Sequence, residues 1–175
     1  MVMLDDDIMR QLRATFKAEA ADHLQAMNRI LVELEKGSNG RERVELLEEI
    51  FREAHSLKGA AGAADIGDVE TTAHKLENVF GAIKAGEIEL TADLCDVLYE
   101  AIDAVELIVE AVLTGKAHGL DLPDLHARLE AAEKGRIIAG KKQEAGSKKQ
   151  ARGIPWHWRK CSSSKIVPPR HYWPG

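Results

Sequence analysis

Apolar residues recur every three or four positions through four successive stretches of this chain, and only a few residues separate one stretch from the next. That pattern leaves little choice of fold, because it is the signature of amphipathic helices and nowhere gives way to the alternation of a strand. Ile8, Leu12, Phe16, Ala20, Leu24, Met27, Leu31 and Leu34 make the first stripe, with Asp5 to Asp7 suited to its start and Gly37-Ser38-Asn39-Gly40 to its end. Leu47, Ile50, Ala54, Leu57 and Ala61 make the second, which stops near residues 64–67. The third is opened by Asp68 as N-cap, carries Val69, Ala73, Leu76, Phe80 and Ile83 at 4-3-4-3 spacing, and ends at Gly86. The fourth begins at Thr91, turns Leu94, Leu98, Ala101, Val105, Ile108 and Val112 inward, and ends at Gly115. A short fifth helix follows Pro123 with Leu125 and Leu129. Helices joined by such short links pack antiparallel. The expected fold is therefore all-α, an antiparallel up-down-up-down four-helix bundle with a short fifth C-terminal helix.

Charge divides the chain at the end of that pattern. Residues 1–133 hold 13 Lys/Arg against 28 Asp/Glu, a net −15, whereas residues 134–175 hold 11 against 1, a net +10. The acidic bundle repels nucleic acid. The tail reads as a separate basic, disordered linker, KKQEAGSKKQARG followed by a stretch with all three tryptophans and no periodicity. A basic segment with interleaved aromatics can bind single-stranded nucleic acid. A truncated or frame-shifted remnant of a longer protein, or residues added for expression, is the favoured reading, and no function is assigned to it. No apolar run approaches the roughly 20 residues of a membrane span, and the acidic N-terminus lacks the apolar centre of a signal peptide. Cys95 and Cys161 are far apart and suggest no disulfide framework. The expectation is a cytoplasmic protein, and a monomer, since the outer faces carry no second apolar stripe.

The stretch EAHSLKGAAGA, residues 53 to 63, is the exception to an otherwise ordinary helical sequence. Glycine inside a helix costs about 1 kcal/mol relative to alanine, so Gly59 and Gly62 need a reason. At 100° per residue His55 lies roughly 120° round the second helix from its core face. Lys58 and Gly59 are one turn on and Gly62 a further turn, so the histidine adjoins a nearly bare strip that another macromolecule could reach. On the third helix His74 and Glu77 share a stripe beside the core stripe, and that stripe can lie against His55. A carboxylate on one imidazole nitrogen fixes the tautomer and makes the other nitrogen a better nucleophile. Lys58 adds positive charge for an incoming phosphoryl group.

HSLKGAAG, followed nineteen residues after His55 by HKLEN at His74 to Asn78, resembles the histidine phosphotransfer domains of CheA-type chemotaxis kinases. The resemblance covers about residues 5–133. It implies that His55 accepts a phosphoryl group from ATP held by a separate histidine-kinase catalytic domain and passes it to an aspartate on a response-regulator receiver. It implies also that Glu77 orients Nδ1 of His55, that His74 and Lys58 are supporting polar residues, and that Gly59 and Gly62 line the docking surface. ATP and Mg would be bound by those partners, with no cofactor in this chain. Gly59-Ala60 stands where the family commonly has Gly-Gly, and Ala63 to Gly67 where it often has an aromatic-rich loop, differences that bear on the choice of partner.

Other readings compete. A histidine on a helix flank is usually plain surface, as are His23, His118 and His126, and Asp93, Asp96, Glu100 and Asp103 read as a solvated face. Carboxylate-bridged metal bundles need inward Glu-x-x-His on two helices; here His-x-x-Glu occurs once and on a flank, although His55, His74 and Glu77 could offer zinc three ligands. No nucleophile elbow or phosphate-binding G-x-x-x-x-G-K-[ST] loop is present. The chain therefore reads as a carrier unable to phosphorylate itself. The alternative is a non-catalytic helical docking module for signalling proteins.

Overall fold

The computed structural model describes residues 2–136, with side chains from Ile8 onward. The chain divides into units 1–140 and 141–175, and only the first is described below. The reading of the basic tail, and Cys161 with it, lies outside the described residues beyond 136.

Five helices make up the described residues, with no strand: α1 (Val2–Glu35), α2 (Gly40–Ala63), α3 (Gly67–Ala85), α4 (Ala92–Thr114) and α5 (Leu122–Glu133). α1 packs on α2 and α4, α2 on α3, and α3 on α4, which closes a ring of four; α5 lies on α3 and α4. Links of three to seven residues between packed neighbours fit the up-down-up-down course. None of the described helices is long and apolar enough to cross a membrane.

The core follows the stripes. Met27, Ile30 and Leu31 of α1 meet Ile50 and Leu57 of α2, Leu76 and Phe80 of α3, and Leu98, Ile102 and Ile108 of α4, all fully buried. Each such side chain contributes about 1.5–3 kcal/mol by leaving water. The buried residues of α2 are the five that the periodicity marks. Two positions of the first stripe behave otherwise: Ile8 is 56% and Leu12 36% exposed. Lys17 pairs with Glu110 four residues before α4 ends, so Ile8 and Leu12 lie past the end of that neighbour. Val112 is only half-buried, for it too sits at the end of the bundle.

Local signals end most helices. Thr91 caps α4, its hydroxyl accepting from Leu94 N–H, and the Asp121 carboxylate accepts from Asp124 N–H at the start of α5. Gly86 and Gly115 close α3 and α4 in the left-handed region, φ 74° and 65°, where glycine carries no Cβ penalty. At the start of α3 the expectation is corrected. Asp68 is in the first turn, and Ile66 takes the cap position with no side-chain hydrogen bond. Ile66 is buried, so packing sets this boundary, and Asp68 contributes only its charge beside the helix N-terminus.

Candidate functional site

α2 and α3 run antiparallel, and side-chain pairs mark their register from one end to the other. Glu48 approaches Lys84, the Phe51 ring lies where a side chain on Gly81 would begin, His55 meets Glu77, and Glu70 lies beside Gly62. His55 stands on this seam at the edge of the core stripe, because Ala54 takes the buried position next to it. Its side chain is 62% exposed.

Nδ1 of His55 is 2.8 Å from Oε1 of Glu77, and Nζ of Lys58 is 2.6 Å from the other carboxylate oxygen. Only 12% of the Glu77 side chain is exposed. An ionised carboxylate there needs compensation, and the two contacts supply it. Burial acts to raise the Glu77 carboxyl, but the hydrogen bonds and positive charge of Lys58 and His55 outweigh it and hold the group below the usual carboxylate range. An ionised Glu77 accepts from Nδ1–H, which leaves Nε2 with its lone pair as the outward nitrogen.

The structure thus brings together three of the four residues singled out in the sequence. Lys58 is engaged with Glu77. His74 is exposed and makes no side-chain hydrogen bond or ion pair among the described residues. The register places it across the seam from Lys58, on the turn before Glu77. A Cβ on Gly59 would meet nothing within 4 Å, and one on Gly62 would meet only the Glu70 carboxylate, at 3.5 Å. Neither glycine is required by packing inside this chain. Among the described residues no three His, Cys, Asp or Glu side chains gather as a metal site.

Three other histidines have more structure around them than the sequence suggested. His23 Nδ1 lies 2.7 Å from Glu53 on α2, which repeats the His–Glu pairing. Its ring is mostly covered, however, and its Nε2 faces Glu19 at 3.9 Å, so both ring nitrogens face carboxylates. His126 on α5 donates through Nε2 to the Thr72 hydroxyl, 2.9 Å away, which itself donates to Asp68 O. Burial and, next, the Lys75 charge lower the His126 pKa against the pull of Asp68 and Glu130. His118 accepts from Leu120 N–H and stands 3.7 Å from Asp68. In the acidic face of α4, Glu100 is bonded to Arg128 of α5 at 2.7 Å. The pairs His23–Glu53, Thr72–His126, Asp68–His118 and Glu100–Arg128 join residues distant in sequence, which is why periodicity alone does not find them.

A helical bundle with one exposed histidine held by a buried carboxylate defines a small class of proteins. The family model for Hpt, the histidine phosphotransfer domain, matches residues 11–132, and the chain belongs to that family. Among solved structures, the phosphorylated P1 domain of CheA3 in complex with CheY6 from R. sphaeroides is similar in fold, with a TM-score of 0.61 at 21% sequence identity over 71% of this chain and 96% of that one. A search of curated proteins gives no match.

Proposed function

We propose that this protein is a phosphoryl carrier in a CheA-like two-component phosphorelay, with His55 as the residue that is phosphorylated. The observation that carries the reading is the pairing of Nδ1 with a buried, ionised Glu77 on a histidine whose side chain is 62% exposed. Nε2 attacks the γ-phosphorus of ATP held by a separate histidine-kinase catalytic domain. The N–P bond forms as the bond to the bridging oxygen breaks, and ADP leaves with that electron pair. The imidazole becomes cationic, and Glu77 holds its Nδ1–H throughout. A receiver aspartate then attacks phosphorus, and the N–P electrons return to Nε2. Both steps depend mainly on positioning and charge. ATP and Mg belong to the partners, the kinase domain and the response-regulator receiver. The bundle, residues 1–133, acts as a cytoplasmic monomer with chemosensory signalling as its context. Lys58 anchors Glu77 and adds positive charge near the incoming phosphoryl group, with His74 as a polar neighbour.

The test is phosphorylation in trans by a CheA-type catalytic fragment with ATP, read by intact mass at neutral pH and after brief acid. An acid-labile phosphoryl adduct is expected on the wild type and none on His55→Gln. A folded wild type that takes up no phosphoryl group from several such fragments would favour the non-catalytic docking module instead.

A further inference from the structure

Beyond His55, Glu70 on α3 and Asp65 in the α2–α3 link are charges that no described side chain compensates, and Glu70 is the one that lies over the glycine strip. Glu77 is balanced by Lys58, and Glu53, on the far side of α2, by His23. The Glu70 carboxylate lies across the space above Gly62, both oxygens 3.5–3.6 Å from where a Cβ would be. Glu70 is exposed, and its side chain makes no hydrogen bond or ion pair among the described residues. It sits at the end of the bare strip that runs from His55 past Gly59 to Gly62, about 10 Å along the helix from the histidine.

We propose that Glu70 is a specificity-determining residue for the outgoing transfer, selecting a receiver domain that sets a Lys or Arg against it when docked over the Gly59–Gly62 strip. This rests on the carrier reading above. Charge says which of the two partners it serves. The kinase domain arrives with the polyanionic triphosphate of ATP, which a nearby free carboxylate repels. The receiver arrives when His55 already bears a phosphoryl group, roughly −1.5 to −2 on its oxygens, which against the cationic imidazole adds about one net negative charge to the seam. With Glu70 the loaded seam is strongly negative, and a partner with complementary cations is steered to it. Once the phosphoryl group has left, the attraction weakens and the receiver is released.

The experiment uses the full chain as wild type, Glu70→Gln and Glu70→Lys, each loaded by the same kinase fragment. The receiver is the one that takes phosphate fastest from the wild type in a screen of receiver domains. An exposed ion pair of up to about 1 kcal/mol gives an expected rise in KM of about twofold to fivefold for Gln. For Lys, which faces a like charge, the expected rise is about tenfold; kcat changes far less in both. Raising salt from about 50 to 300 mM should weaken transfer from the wild type more than from Glu70→Gln. Loading by the kinase should not slow in either variant. Wild-type KM and salt dependence in Glu70→Lys would overturn the inference, as would a defect confined to the loading step. If the loaded wild type passes nothing to any receiver, the carrier reading itself fails, a result separable from either of those.

Discussion

A buried carboxylate shared between Lys58 and His55 does two jobs at Glu77, and the substitution that separates them is Glu77→Gln. The amide keeps the shape and can still accept from Nδ1–H, but it would not stabilise the imidazolium that the proposed carrier chemistry forms with the N–P bond. Phosphorylation of His55 is expected to slow by at least tenfold, the loss of a charge-assisted partner worth about 1.5 kcal/mol or more. The same change leaves Lys58 half-buried without its counter-charge, so a stability loss of about 1–3 kcal/mol is expected at neutral pH. The pH dependence has a definite sign. The folded pKa of Glu77 lies below its ordinary value of 4.5, so its contribution is fully present above that value. It is lost as pH falls through the lower folded value. Melting curves of wild type and Glu77→Gln should therefore differ at pH 7 and converge in acid. A gap that stays constant down to pH 3 would show that packing, not charge, is what the variant removes.

At the scale of the helix, the two glycines of α2 pose the sharpest question. The space around Gly59 is open, and its helical backbone suits any residue. Gly59→Ala is expected to stabilise the bundle by about 0.5–1 kcal/mol, seen as a rise in Tm of roughly 2–4 °C. On the carrier reading the same methyl group stands on the strip where a partner docks, so phosphoryl transfer should slow even as the protein becomes more stable. Opposite signs in the two measurements are the mark of a residue kept for docking. A gain in Tm with unchanged transfer would leave Gly59 without a role. Much at this scale was legible in the sequence. The five inward positions of α2, the Thr91 cap and the glycine ends of α3 and α4 follow from local chemistry that every such helix shares. What escaped is what depends on a neighbour. Asp68 looks like a cap until Ile66 is seen to be buried, and Ile8 and Leu12 continue a stripe whose partner helix has already ended. His55 and Glu77 were legible as a pair because antiparallel neighbours in sequence fix their register. His23 and Glu53 were not, because nothing in the spacing of α1 and α2 marks them out.

For the whole molecule the question is what the acidic bundle owes to the basic residues that follow it. Every buried side chain of the described core lies at or before Ala132, and α5 is tied down by bonds within the bundle. Lys75 of α3 pairs with Glu130, Thr72 meets His126, and Arg128 reaches Glu100 of α4. Residues 1–136 alone are therefore expected to fold, with a Tm within about 2 °C of the full chain, since surface terms are usually within about 0.5 kcal/mol. They should accept phosphate on His55 at the same rate. Charge offers a specific way for this to fail. A net +10 following a net −15 offsets part of the bundle's self-repulsion through charge alone. Where that offset is large, the shortened chain would melt lower than the full chain at low salt, and the difference would vanish at about 0.5 M, where exposed charges are screened within a few ångströms. Equal melting at both salts means that folding and phosphate uptake reside wholly in the helices, with residues 137–175 contributing to neither.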